Sequence, residues 1–99
     1  MKNQTPQAIV FANDAMAIGG MERLQQYGYE IPKDIVVTGF DNDELSAFYI
    51  PSLTTVDRRQ EMLGEKAVDL LFDAQSHTSV KLETQILYRE SCGCNCQTP

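Results

Sequence analysis

The stretch IVVTGFDNDELSAFYIPSLTTV, from Ile35 to Val56, constrains the fold more than any other part of the chain. It opens on an unbroken apolar run, Ile35-Val36-Val37. β-Branched residues without polar alternation suit a strand covered on both faces, and such strands belong to parallel sheets. Gly39, Phe40 and Asp41 follow, so the first fixed charge falls at the carboxyl end of the strand, where open α/β sheets place their ligands. Asp41 is therefore the leading site candidate. Its plainer reading is a turn residue that ends the strand.

Upstream, Ala8 to Ala12 (AIVFA) forms a second short apolar run, and Asn13-Asp14 follows directly. Asn and Asp are preferred N-caps because their side-chain oxygens accept from the orphan N–H groups of a first helical turn. A strand ends and a helix begins at this point. Ala17, Met21 and Leu24 recur at helical spacing over Ala15 to Tyr27, and Gly28 supplies the stop. Gly19 and Gly20 each weaken a helix by roughly 1 kcal/mol against Ala, which points to close packing on the sheet or on a second subunit. Pro32 then forces Ile31 into an extended conformation. The result is a β-α-β unit with a right-handed crossover, which brings Asn13 and Asp41 to one edge. An amide and a carboxylate there suit the hydroxyls of a sugar or nucleoside, although Asn13 also reads as a plain helix cap.

Downstream, Asn42 to Ser52 begins acidic and ends in the apolar segment Ala47-Phe48-Tyr49-Ile50, which a partner or the domain itself must cover. Leu53 to Val56 reads as a further short strand or crossover. Asp57 is placed to cap a long helix, with Gln60 completing a capping box. The stripe Leu63, Ala67, Leu70, Leu71 and Ala74 is the clearest helix signal in the chain, and Ser76 to Ser79 ends it. From Val80 to Arg89 apolar and polar residues alternate, which predicts a final strand with one less buried face.

Composition excludes several functions. Ninety-nine residues allow one domain, which buries only about two thirds of the surface its unfolded form exposes. Eight basic against fourteen acidic residues, a net charge of −6, leave no cluster of cations to displace the counterions of a nucleic-acid backbone. No apolar run of about 18 residues occurs, and MKNQTPQ lacks the apolar stretch of a secretory signal, so the expectation is a soluble, cytoplasmic protein with no membrane contact. Cys92, Cys94 and Cys96 are too closely spaced for an unstrained disulfide and lack the two-residue gaps of a thiolate metal site, so they read as a flexible tail with reduced thiols. His77 has no triad or metal pattern around it. A calcium loop starting at Asp41 fails because Ser46 and Ser52 stand where glycine and an acid are required. A phosphate-cradling loop fails as well, because Gly19-Gly20 lies inside a helix. No metal or cofactor is expected.

Four motifs also carry a resemblance: ANDAMAIGG (Ala12 to Gly20), IPKDIVVTGFD (Ile31 to Asp41), YIPSLTTV (Tyr49 to Val56) and LYRES (Leu87 to Ser91). In order and spacing they resemble the effector-binding domain of the lactose-repressor type (LacI/GalR) family, which has the fold of type I periplasmic sugar-binding proteins. The resemblance implies an α/β fold: a parallel-sheet βαβ part of such a lobe at 8–56, a crossover helix at 57–76, a final strand at 80–91 and a Cys-rich tail at 92–99. It implies a small-molecule effector held by Asn13 and Asp41, a homodimer with Met16, Gly20, Tyr49 and Ile50 in its interface, and DNA contact only through a domain absent from this chain. Many relatives carry Gln at the second position after LTTV, whereas Arg58 stands here. A guanidinium matches carboxylate or phosphate, so effectors with an anionic group join the candidates, while a solvated pair with Arg59 is the plainer reading.

Three readings compete on this basis. The first is a sensor fragment controlling transcription through a separate DNA-binding domain, or, in variants of the same idea, a sensor ahead of a C-terminal signalling module or a transport-type sugar-binding protein. The second is a small enzyme using Asp41 as general base, which requires a titratable partner that only Asp43 and Glu44 offer. The third is a structural dimerisation module without a ligand. The sensor reading implies no catalysis, and half a cleft implies weak affinity.

Overall fold

Two parallel strands and the helix between them form the centre of the molecule. The structure is a computed structural model that describes residues 5–73, 79 and 81–93. Strand β1 (Ala8–Val10) pairs in parallel with β2 (Val36–Thr38), with Ile9 opposite Val37, and helix α1 (Asp14–Gln26) connects them. Residue 54 continues the parallel order through a bridge from Thr38 to Thr54. The chain then forms β3 (Thr55–Asp57), helix α3 (Gln60–Phe72) and β4 (Gln85–Leu87), which pairs antiparallel with β3. A single 3-10 turn, Glu90–Cys92, ends the described chain. The mixed α/β architecture with a β-α-β centre agrees with the sequence.

The core follows from the apolar runs. Ala17 and Met21 of α1 meet Ile31, Ile35, Val37 and Leu53, all buried, with Ile9, Phe11, Ile18, Leu24, Tyr29 and Tyr49 around them. Full burial of side chains such as Met21, Ile35 and Leu53 contributes about 1.5–3 kcal/mol each, which fixes α1 on the sheet. Asn13 caps the helix as its residue type demands, with Oδ1 accepting from the Met16 N–H at 2.8 Å. Gly28 stops it, at a φ of 93° that a side chain would disfavour.

The two helix glycines differ. A Cβ on Gly20 would fall onto the Phe11 ring, whereas a Cβ on Gly19 would meet open space. Close packing is thus the reason for Gly20, and it occurs within the chain. Gly19→Ala is expected to stabilise by about 0.5–1 kcal/mol through helix propensity. Gly20→Ala is expected to destabilise by about 1 kcal/mol net, because displacing the ring costs more than the propensity returns. Urea midpoints moving in the same direction would contradict this.

Four expectations need correction. Asp57 does not cap the second long helix; it belongs to β3, and its Oδ1 turns to the Arg59 N–H two residues on, at 2.8 Å. The helix begins at Gln60 because Arg59 adopts a left-handed conformation, φ 57°, and Gln60 reaches back toward the Asp41 carbonyl instead of a cap. The segment Asn42 to Ser52, in which the sequence predicts no helix or strand, contains a short helix, α2 (Glu44–Phe48). Among the described residues the last strand is only Gln85–Leu87, since Arg89 and Ser91 turn inward to serve other elements. Ala74, Ser76, His77, Val80, Cys94 and Cys96 lie outside the described residues.

Helix α3 buries nothing. Leu63, Val68, Leu71 and Phe72 are exposed, Phe72 by 81%. A 13-residue helix is marginal by propensity alone, and among the described residues its apolar stripe has no cover. The extents of 58 × 31 × 21 Å and the 17.2 Å radius of gyration reflect this, because a packed domain of this length has a radius of about 13 Å. No described helix is long and apolar enough to cross a membrane.

Candidate functional site

Three strand ends converge at the carboxyl edge of the sheet. Asn13 follows β1, Asp41 follows β2 and Arg58 follows β3, and the parallel order puts all three on one side. The backbone ties these ends together. Phe11 N–H donates to the Thr38 carbonyl, Gly39 N–H to Thr54 and Asp41 N–H to Val56, each at 2.9 Å.

The Asp41 loop has an unusual conformation. Asp41 and Asn42 have φ of 108° and 54°, two consecutive non-glycine residues in the left-handed half of backbone space. Such residues persist only where their surroundings over-determine them. Two sets of bonds do so here. The first centres on Asp14, fully buried in the opening turn of α1: its Oδ2 accepts from Asp43 N–H at 2.7 Å and its Oδ1 from the Thr55 hydroxyl at 2.7 Å. Thr55 Oγ1 in turn accepts from Asn42 N–H at 3.1 Å. The second set comes from the end of the chain. Arg89 donates to Ser46, Leu53 and Asn42, and Ser91 Oγ donates to the Val37 carbonyl at 2.5 Å while accepting from Thr54 N–H at 2.9 Å.

On this frame the Asp41 carboxylate meets Arg58, Nε to Oδ1 at 2.8 Å, with the Arg58 guanidinium carbon 5.7 Å from the Phe40 ring centroid. Arg58 is thus paired and stacked, and does not stand as a solvated pair with Arg59. The two side chains, Asp41 and Arg58, are 27% and 43% exposed, so water screens the pair and it contributes at most about 1 kcal/mol. It orients the two groups more than it stabilises the fold, and an incoming polar ligand can replace it at little cost. Beside it lies an open cleft of about 510 Å³ between Asn42, Asp57, Arg59, Gln60 and Gln85. Glu61 and Met62 complete the lining, so three amides, two carboxylates and a guanidinium offer donors and acceptors together beside one apolar side chain. The side-chain oxygen of Asn13 is occupied by its cap bond, which leaves the amide nitrogen for a ligand.

Sequence reading missed Asp14, Thr55, Ser46 and Arg89. Asp14 reads with Asn13 as a helix cap, and nothing in the alternation around Arg89 marks an inward side chain. The proposed interface residues are dispersed in burial: Met16 and Ile50 are exposed, Gly20 backs onto Phe11, and Tyr49 is partly buried with its hydroxyl donating to Gln25 Oε1 at 3.3 Å. Burial first, and the Glu22 charge second, raise the Tyr49 phenol above its usual range. Leu45 and Phe48, close to Ile50 in sequence, are exposed as well. Among the described residues, no group of three or more His, Cys, Asp or Glu side chains could hold a metal ion.

A profile of the family described as periplasmic binding protein-like domain matches residues 1–92. The chain belongs to that family. Within the periplasmic binding protein-like family it is similar to regulators of the LacI type. The repressor PurR of Mannheimia succiniciproducens is 39% identical over 85 residues, which are 86% of this chain and 25% of that protein. The ribose operon repressor of Escherichia coli is 46% identical over 66 residues, 67% of this chain and 20% of the repressor. A Lac repressor dimer solved with operator and the anti-inducer ONPF superposes with a TM-score of 0.82 at 33% identity, over 92% of this chain and 29% of that one. The chain spans about a quarter of the length of the curated relatives it matches.

Proposed function

We propose that this chain is the second-lobe part of a LacI-type effector-binding domain, taking a small polar ligand at the carboxyl edge of its sheet without transforming it. Residues 8–56 form the lobe, 57–76 and the final segment cross toward a first lobe, and transcription is controlled through a DNA-binding domain that lies outside these residues. The observation that carries the reading is the convergence of Asn13, Asp41 and Arg58 on one edge, around a loop held in a strained conformation. Asp41 accepts from ligand hydroxyls, the Asn13 amide donates, and Arg58 takes an oxygen-rich or anionic group. The ligand class is a sugar, nucleoside or related polar compound, and the name of one relative, a ribose operon repressor, supports the sugar reading. The chain works in the cytoplasm as a homodimer, with Met16, Gly20, Tyr49 and Ile50 in or beside the contact.

Heteronuclear NMR titration of the labelled chain with D-ribose, cellobiose, adenosine and ribose 5-phosphate tests the site. At least one compound is expected to shift Asn13, Asp41 and Arg58 together, with weak affinity because only half of a cleft is present. Asp41→Ala is expected to weaken that binding at least tenfold, the loss of one or two charge-assisted hydrogen bonds at about 1.5–3 kcal/mol each. Turnover of the compound, or equal binding by the variant, would rule the proposal out.

A further inference from the structure

Arg89 serves a loop more than 40 residues away in sequence. Its Nη1 donates to Ser46 Oγ at 2.7 Å and to the Leu53 carbonyl at 3.1 Å, and its Nη2 donates to Asn42 Oδ1 at 3.2 Å. The backbone N–H of the same residue donates to Thr54 Oγ1 at 2.8 Å. One partly buried residue therefore grips the start of the Asp41 loop, the helix that follows it and the residues leading into β3. A guanidinium can do this because its donors lie in a rigid planar fork, whereas an ammonium is a point charge that cannot span three acceptors in fixed directions. What the fork grips is the segment that needs holding, because Asp41 and Asn42 are both at positive φ. Released from Asn42 and Ser46, the loop would relax toward ordinary backbone angles. The Asp41 carboxylate would then leave Arg58.

We infer that Arg89 is the positioning residue of the binding loop: it touches no ligand, but by fixing Asn42 and Ser46 it sets where Asp41 presents its carboxylate. It also links that loop to the crossing strand. Arg89 lies two residues beyond the Leu87–Thr55 pair of the β3–β4 ladder, so a change in the register of β4 is passed to Asn42 through the same bonds. The role of Asp41 in binding rests on the function proposed above, but the positioning can be measured without any ligand.

Amide hydrogen exchange, followed by NMR on the 99-residue chain, separates positioning from general support of the fold. The amides of Asp41, Asn42, Asp43 and Ser46 are all hydrogen-bonded and report on the loop, while those of Met21, inside α1, and Thr38, in the β1–β2 ladder, report on the core. In Arg89→Met the loop amides are expected to exchange at least tenfold faster, with the core amides within twofold of the parent. Arg89→Lys, which keeps the charge and the backbone bond but loses the fork, is expected to open the same amides. Uniform acceleration of loop and core in both variants, or an unchanged loop, would overturn the inference. Titration with the same four compounds completes the test: any that binds the parent chain is expected to bind Arg89→Met at least fivefold more weakly, and equal binding would overturn the inference. If none binds the parent while the loop alone opens in the variants, the positioning role is supported and the binding proposal fails.

Discussion

Replacing Asp14 with Ala is expected to remove about 3 kcal/mol of stability, the largest effect of any single side chain at the sheet edge. The carboxylate is fully buried and accepts from the Asp43 N–H and the Thr55 hydroxyl, both at 2.7 Å. Hydrogen bonds to a charged acceptor contribute about 1.5–3 kcal/mol each, and part of that gain is offset by removing the carboxylate from water. Alanine restores the solvation term but orphans the Asp43 N–H and leaves the Thr55 hydroxyl without its acceptor. Asp14→Asn should fall between, because one amide oxygen can serve Asp43 while the amide nitrogen faces a hydroxyl able to accept. Urea unfolding monitored by circular dichroism gives the ranking parent, Asn, Ala. An alanine variant within about 1 kcal/mol of the parent would mean that the loop is held without Asp14.

The β-α-β centre was legible in the sequence because its signals are local: apolar runs at Ala8 to Ala12 and Ile35 to Val37, a capping residue at Asn13, a stop at Gly28. The place of Asp41 at the carboxyl edge of the sheet was legible because it is the first charge beyond a buried strand. Asp14, Arg89 and Ser91 were not, since their partners lie 29 to 54 residues away and a polar residue turned inward has the same letter as one turned outward. Helix α2 escaped because five residues cannot display a period. Asp57 misled through a correct local rule: it does accept from a nearby backbone N–H, but pairing with Gln85 keeps it in β3 and the helix starts later. The stripe on α3 predicted a helix, and Leu71 and Phe72 stand exposed on it.

Gly39→Ala is expected to destabilise by about 2–3 kcal/mol, and the cause can be isolated by a second substitution. Gly39 is buried where β2 ends, and a Cβ there would fall onto Asp14 Oδ1 while standing 3.0 Å from Leu53 Cδ2 and 3.3 Å from the Asp14 Cα. The Asp14 backbone cannot retreat freely, because its N–H donates to the Phe40 carbonyl at 3.0 Å. The carboxylate must therefore swing away, and with it go the bonds to Asp43 and Thr55. Much of the cost of Gly39→Ala is then the same cost as Asp14→Ala. In the double variant the added methyl meets no carboxylate, and only its close approach to Leu53 and to the helix backbone remains. The double variant should be more stable than the sum of the single effects predicts, by at least about 1 kcal/mol. Additivity to within about 0.5 kcal/mol would mean that the methyl is resisted by Leu53 and the helix backbone, and that Asp14 holds its bonds despite it. The glycine at the end of β2 thus makes room for the buried carboxylate that keeps the Asp41 turn in place.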